Sequence, residues 1–139
     1  MKKFTIELNE KQLLLIEKAT DFHSRTLCGQ LYLGYLEDIL MQAWQKNHPT
    51  MKWTDIRDEC DKDMIMLQKK YFELSRSSYY GIGHDDTADD LWDIHKCCEH
   101  ARYLAMSKED QEKLRWTVMA DEPVAFGKEG LIKIEEIKK

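Results

Sequence analysis

The sequence predicts an α+β fold in which four main helices pack on a small antiparallel sheet made from the N-terminal and C-terminal strands. Through the middle of the chain, apolar residues recur every three or four positions, which is typical of amphipathic helices. Near both ends, apolar and polar residues alternate, which is typical of half-buried strands. The chain of 139 residues has no repeat, linker or low-complexity tract, so we predict a single domain over residues 1–139.

The first predicted elements are a strand and a helix. Residues Lys3–Leu8 alternate between apolar and polar side chains, and this period of two predicts a strand with one buried face. Asn9 follows, and its side-chain oxygen is suited to accept the free amide protons of a first helical turn. We therefore predict a helix over Glu10–Thr26.

Two further helices are predicted next. Gly29 interrupts the first helical pattern, and a second helix is expected over Gln30–Gln45, ended near Pro49 because proline cannot continue a helix. Thr54 is a candidate cap for a long third helix over Asp55–Leu74. The apolar stripe predicted for this third helix is Ile56, Cys60, Met64, Leu67 and Tyr71.

The second half of the chain begins with an irregular segment over Ser75–Asp86. A fourth helix, capped by Thr87, is predicted over Thr87–Met106, and Ser107–Asp110 opens a short further turn. Strands are predicted over Arg115–Met119 and Leu131–Ile137, on either side of a turn and a glycine loop. The residues expected to face inward from the fourth helix are Leu91, Ile94, Cys98, Ala101 and Ala105.

Composition excludes several classes of function. The chain has 26 acidic and 21 basic residues, for a net charge of −5, and its scattered basic residues argue against binding to a nucleic acid polymer. A membrane-spanning helix needs about 20 apolar residues, and no such run exists here. We found no signal peptide, so we expect a cytoplasmic protein. Its cysteines are expected to be reduced thiols: Cys28, Cys60, Cys97 and Cys98.

Signals for catalysis are weak. His95 and Glu99 lie one helical turn apart and are suited to share a metal ion, but the sequence offers no clear further ligands. Acidic clusters at 55–63 and 85–90 lie at predicted helix N-termini, where acids are favoured without any ligand. No serine lies in a Gly-x-Ser-x-Gly elbow. We therefore predict no catalytic residue, metal or cofactor, and keep a metal-dependent hydrolase as an alternative.

Two polar segments are better candidates for a ligand site. At the joint between the first two helices lie Ser24, Arg25 and Gln30. The guanidinium group of an arginine offers a planar pair of donors to phosphate or carboxylate, and a glutamine amide can bond to a base edge or a ribose. The alternative for this joint is a polar connection between helices, in which Arg25 donates hydrogen bonds to helix-end carbonyls.

The second candidate segment is the glycine-containing loop with Tyr79, Tyr80 and His84. Its aromatic rings can stack on a base, and Gly81 and Gly83 allow the backbone to approach a ligand. The alternative is a surface loop on which the tyrosines lie flat. We predict a ligand site made from both segments, and the sequence leaves open whether they adjoin.

The sequence resembles a group of small, mostly uncharacterised proteins encoded by phages and prophages of Gram-positive bacteria. The resemblance rests on short motifs across most of the chain: Phe4–Leu8, Ser24-Arg25 with Gly29-Gln30, Ser78–Ile82, Trp92–His95, Trp116-x-Val118 and a final strand. It implies an accessory protein, not a virion component or replication enzyme. One class of such proteins binds cyclic or ADP-ribose-derived host immune signals without cleaving them.

We therefore predict a non-enzymatic phage protein that sequesters a small nucleotide-like ligand in the host cytoplasm, as a homodimer or higher oligomer. The similar proteins often carry an arginine late in the fourth helix, where this chain has Glu99 before His100, so that helix is not expected to bind phosphate. The alternative is an inhibitor that binds a host protein through its acidic face and through exposed aromatic side chains, with Trp44, Trp53 and Tyr79 as candidates.

Overall fold

All of the regular secondary structure in the part of the chain that the structure describes is helical. This computed structural model describes residues 4–31, 34–75 and 78–137. A 3-10 helix, Trp53–Asp55, lies between the second and third of the five α-helices found within these ranges. The α-helices are α1 (Glu10–Leu27), α2 (Gly34–Asn47), α3 (Arg57–Phe72), α4 (Asp86–Ala105) and α5 (Lys108–Leu114).

The predicted α+β class is wrong, because no strand or sheet forms among the described residues. The segments 4–9 and 131–137 are irregular, and Phe4 is 85% exposed. The remaining predicted strand, Arg115–Met119, instead forms turns in which the Thr117 amide donates to the Leu114 carbonyl at 2.9 Å. Alternation of apolar and polar residues gives a strand one apolar and one polar face. A strand forms, however, only where a neighbouring strand supplies partners for its backbone hydrogen bonds.

The helices themselves follow the local signals more closely. Asn9 caps α1 as predicted, since its side chain accepts from the Gln12 amide at 2.9 Å while the Gln12 side chain accepts from the Asn9 amide at 2.9 Å. The fourth helix is capped by Asp85, which accepts from the Ala88 amide at 2.8 Å, and not by the predicted Thr87. None of the described helices is long and apolar enough to cross a membrane.

The main helix contact is between α1 and α4, and it is unusually polar. Buried polar residues on the two helices are Glu17, Asp21, Ser24, Asp89, Asp93 and His95. The buried apolar set among the described residues is small: Trp53, Met64, Ala88, Cys97 and Cys98. Because a buried polar group without a partner is costly, this contact depends on its hydrogen bonds.

The segment after α5 is held against α4 by carboxylates. Asp93, fully buried, accepts from the backbone amides of Phe126 at 3.0 Å and Gly127 at 2.9 Å. Asp90 accepts from the amide of Glu129 at 3.0 Å. A Cβ atom at Gly127 would lie 2.7 Å from the Asp90 backbone, so only glycine fits this close approach. The acidic residues Asp90 and Asp93 are thus explained by hydrogen bonds that they accept from backbone amides, and not by a ligand.

Candidate functional site

The joint after α1 is a tight turn against the end of α3. The Gln30 amide donates to the Arg25 carbonyl at 2.8 Å, and Gly29 has a φ of 76°. A Cβ atom at Gly29 would lie 2.6 Å from Cδ1 of Leu74 and 3.1 Å from the ring of Phe72. Both the left-handed backbone and the close packing require glycine here. The turn thereby directs Arg25 and Gln30 to the same end of α1.

The aromatic loop adjoins this joint. The Tyr80 amide donates to the Cys28 carbonyl at 2.9 Å, and the Tyr80 hydroxyl donates to the Phe72 carbonyl at 2.7 Å. Further along the loop, the Gly83 amide donates to the Asp89 carboxylate at 2.9 Å. The loop is therefore fixed to α1, α3 and α4 together. The two predicted polar segments, whose relation the sequence left open, are neighbours.

The aromatic rings of this loop are arranged in a stack. The ring centroids of Tyr80 and His84 are 3.7 Å apart at an interplanar angle of 13°. Tyr80 is half-buried, while His84 is exposed and Tyr79 is 58% exposed. The stack therefore runs from the fixed part of the loop to the protein surface, where a further planar ring has access to it.

Arg25 is held in place from three sides. Its Nε donates to Asp21 Oδ1 at 2.5 Å and one terminal nitrogen donates to Gln30 Oε1 at 3.1 Å. The guanidinium carbon lies 5.3 Å from the ring centroid of Trp92. These two hydrogen bonds use two of the five N–H donors of the guanidinium group, and the side chain is 33% exposed. A positively charged, partly accessible group is thus fixed beside the turn.

Ser24 lies away from the surface. It is buried, and its Oγ donates to the Ala88 carbonyl at 2.8 Å, which joins α1 to the start of α4. Of the six predicted site residues, the structure brings Arg25 and Gln30 into direct contact and stacks Tyr80 on His84. Ser24 has a structural contact, which a ligand would have to break.

Gln68 on α3, which helps to position the aromatic loop, was not predicted from the sequence. This residue on α3 is buried, and its Nε2 donates to the carbonyl oxygens of Ser75 at 3.0 Å and Ser78 at 2.6 Å. The predicted apolar stripe of α3 placed Leu67 and Tyr71 inward, but both are exposed. The spacing of Gln68 from the buried Met64, one helical turn, was the signal that would have found it.

His95 lies in a buried charged cluster between α1 and α4. Its Nε2 is 3.9 Å from Asp21 Oδ1 and 4.0 Å from Glu99 Oε2, and its Nδ1 is 3.3 Å from the Glu17 carbonyl. Arg102 pairs with the Glu17 carboxylate at 2.6 Å. Within residues 4–31, 34–75 and 78–137, no group of three or more His, Cys, Asp or Glu side chains is placed to hold a metal ion.

The described thiols around α4 and the joint are not activated. Burial, with a smaller contribution from the nearby Glu17 carboxylate, raises the pKa of Cys98 to about 11. Burial also raises the pKa of Cys28 and of Cys97. Since the thiolate is the nucleophile, these directions disfavour thiol chemistry at neutral pH.

A hollow of about 350 Å³ lies elsewhere, at the junction of α4 and α5. We call it the α5 hollow. Its lining residues are Met106, Asp110, Lys113 and Leu114. None of the predicted site residues contributes to it, so the chemically suggestive residues and this hollow are separate features of the molecule.

Comparison of the chain with protein-family models, with curated proteins and with solved structures finds no match. The resemblance to phage proteins therefore stays a prediction.

Proposed function

We propose that this protein binds a small nucleotide-like ligand at the joint after α1 and holds it without cleaving it. The observation that carries the proposal is the hydrogen bond from the Tyr80 amide to the Cys28 carbonyl, at 2.9 Å. Through this bond the aromatic loop lies beside the turn that carries Arg25 and Gln30. Protein groups of three chemical kinds, each able to bind a ligand, therefore lie at one end of α1: a cation, an amide and a pair of stacked rings.

Each kind of group suits a different part of a nucleotide. The remaining guanidinium donors of Arg25 suit a phosphate. The exposed ring of His84, stacked on Tyr80, suits a base, because stacking is tolerant of base identity. Tyr79 offers a second exposed ring. The amide of Gln30 already accepts from Arg25 and retains its own donors for a hydroxyl or a base edge.

The pairing of Arg25 with Asp21 limits how strongly phosphate binds. Asp21 is buried and lies 2.5 Å from Nε of Arg25, so a phosphate at the outer edge of the guanidinium group shares it with a fixed carboxylate. The ion pair with Asp21 helps binding in another way, because it holds the guanidinium group of Arg25 in one orientation before the ligand binds. Binding is therefore expected to depend on the stacked rings as much as on charge.

The resemblance to phage proteins supports the more specific part of the proposal. On that basis the ligand is a cyclic or ADP-ribose-derived immune signal, and the protein acts in the cytoplasm of the host cell as a homodimer or higher oligomer. Sequestration requires no catalytic group. This agrees with the raised pKa of Cys28 and of Cys98, which disfavours nucleophilic chemistry at these two thiols.

Thermal-shift and calorimetric titration with ADP-ribose, cyclic di-AMP and AMP test this proposal. A ligand at a hundredfold excess over its dissociation constant stabilises the protein by about 2.7 kcal/mol. We expect binding to weaken in Tyr79→Ala and in Arg25→Lys, which keeps the charge beside Asp21 but loses the fork. Tyr71→Ala, at an exposed tyrosine on α3, is the matched control and should bind normally.

The bound compound is then released and analysed by mass spectrometry. Recovery of the intact compound supports sequestration, whereas a cleaved product favours the hydrolase alternative. The proposal fails if no nucleotide shifts the melting temperature, or if Tyr79→Ala and Arg25→Lys bind as tightly as the unmodified protein.

The alternative function, inhibition of a host protein, is less well supported, because two of the three aromatic residues suggested for it are not exposed. Trp53 is 8% exposed, and Trp44 is half-buried with its ring stacked on His48 at 4.7 Å. Of the three aromatic residues suggested for that role, Tyr79 is the exposed one. The net charge of −5 remains its other support.

A further inference from the structure

The acidic residues at the start of α4 are divided between two faces of the helix. On one face, Asp86 and Asp90 contact the segment after α5, through an ion pair and a backbone hydrogen bond. On the other face, the buried carboxylate of Asp89 accepts from the Gly83 amide of the aromatic loop at 2.9 Å. Asp85, which caps the helix, lies one turn before Asp89 and on the same face. Two carboxylates of α4 thus lie on the side of the candidate site.

The start of α4 is in contact with the end of α1 that carries Arg25. Ser24 Oγ donates to the Ala88 carbonyl at 2.8 Å, so the residue before Arg25 contacts the residue before Asp89. The guanidinium carbon of Arg25 lies 5.3 Å from the ring centroid of Trp92, which comes three residues after Asp89. The guanidinium group therefore lies against the first two turns of α4.

The thiol of Cys28 senses the same two carboxylates. Burial, followed by the negative charges of Asp89 and Asp85, raises the pKa of Cys28. The carbonyl of Cys28 accepts from the Tyr80 amide at 2.9 Å, which is where the joint and the aromatic loop meet. The negative charge of α4 therefore extends to the centre of the candidate site.

This charge limits how much negative charge a ligand can carry. Arg25 supplies one positive charge, which it shares with Asp21 at 2.5 Å. Hydrogen bonds from Arg25 stabilise one negative charge on a phosphate. Coulomb energy falls only with the inverse of distance, so carboxylates that do not touch the phosphate still repel it. A second charge on the same phosphate meets this repulsion and also costs more to remove from water.

We propose that Asp85 and Asp89 make the site selective for charge, so that it accepts a phosphodiester and disfavours a terminal phosphate. This inference rests on the proposed function, because it concerns the same site. A phosphodiester carries one negative charge, whereas a terminal phosphate monoester loses a second proton near pH 6 and then carries two. The preferred ligand is therefore a nucleotide whose phosphate is esterified on both sides. Mononucleotides with the same base and a free phosphate group are disfavoured.

Calorimetric titration with a matched pair of ligands tests this selectivity. AMP and its methyl phosphodiester share the base and the ribose, and above about pH 7 they differ in the charge of the phosphate. At pH 8 we expect AMP to bind about fivefold more weakly than the methyl diester. At pH 5 both phosphates carry mainly one charge, and the two dissociation constants should become nearly equal.

The variant Asp85→Asn tests the role of the carboxylates. Asparagine is as good an N-cap as aspartate, so the start of α4 is kept while one negative charge is removed. We expect the ratio of the two dissociation constants at pH 8 to fall by about half. Asp58→Asn is the matched control, at an exposed residue roughly 20 Å along α3 from the end that packs on the joint. It should leave the ratio unchanged, and melting curves verify that both variants are folded.

The possible results separate this inference from the proposed function. If AMP binds as tightly as the methyl diester at pH 8, the charge selectivity is wrong and the proposed ligand site still stands. An unchanged ratio in Asp85→Asn overturns the role given to the carboxylates. If neither compound binds, the inference fails, and the titrations with ADP-ribose and cyclic di-AMP decide whether the proposed function fails as well.

Discussion

The carboxylate of Asp93, buried on α4, accepts a hydrogen bond from the backbone amide of Gly127 at 2.9 Å. The same carboxylate accepts from the amide of Phe126 at 3.0 Å. One side chain therefore satisfies two consecutive amides of the segment after α5. This contact fixes the C-terminal part of the chain to the central pair of helices.

The first prediction concerns this contact. Asp93→Asn keeps the size of the side chain but replaces one acceptor oxygen with a donor that faces an amide. A buried donor left without a partner costs roughly 1–3 kcal/mol, so we expect the free energy of unfolding in urea to fall by about that amount. Asp121→Asn, at an exposed position, is the control and should change it by less than about 0.5 kcal/mol. Equal midpoints for both variants would show that the contact is unimportant.

A second prediction compares two glycines. In Gly127→Ala the new methyl group lies 2.7 Å from the Asp90 backbone, so the segment must move away from α4 and the Asp93 hydrogen bonds stretch. At Gly81 a Cβ atom meets nothing within 4 Å. Gly81→Ala should therefore be neutral or stabilise the protein by about 0.4–1 kcal/mol, because alanine lowers the conformational entropy of the unfolded chain. Melting temperatures of the two variants measure the contrast. A Gly127→Ala protein as stable as Gly81→Ala would contradict the packing described above.

The helices were predictable because their signals are local. The capping box of Asn9 and Gln12 lies within four residues, and the predicted start of α1 is correct. The strands were not predictable from alternation alone, since a strand depends on a partner that can come from anywhere in the chain. The buried face of α4 shows the same limit. Asp93 lies inside because of amides far along the sequence, and no pattern within α4 indicates them.

The sequence predicted which residues form the candidate site, but it did not predict that its two segments lie close together. Arg25 and Gln30 lie close in sequence, so their contact follows from a short turn. The proximity of the aromatic loop depends on the Tyr80–Cys28 hydrogen bond, which joins distant segments. Asp21 lies one helical turn before Arg25 within α1, so their pairing could have been predicted from the sequence. The burial of Asp21 could not, because it depends on packing against the rest of the fold.

The third prediction concerns the ion pair of Glu17 and Arg102, which joins α1 to α4 at 2.6 Å with both side chains mostly buried. Removal of one partner leaves the other charge buried, which costs roughly 3–5 kcal/mol. Glu17→Gln should therefore destabilise the protein strongly, whereas the double variant Glu17→Leu with Arg102→Met should recover much of the loss. Urea unfolding of Glu17→Leu, of Arg102→Met and of the double variant gives the coupling energy of the pair.

The control for this ion pair is the exposed pair of Lys128 and Asp86. Lys128→Met should lower the free energy of unfolding far less than Glu17→Gln does, because exposed pairs are screened by water and salt. A loss in Glu17→Gln no larger than in Lys128→Met would mean that the α1–α4 pair does not carry the expected energy.

The last prediction uses the pKa of Cys98, which burial raises from 9.0 to about 11. A pKa that is higher in the folded state means that folding favours the protonated thiol, so this stabilisation is complete below pH 9 and is lost as the pH rises toward 11. Cys98→Ala lacks the thiol, and other titrating groups are common to both proteins. The stability difference between the two proteins in urea should therefore shrink between pH 8 and pH 11. A difference that stays constant over this range would show that the thiol ionises as easily in the folded protein as in the unfolded chain.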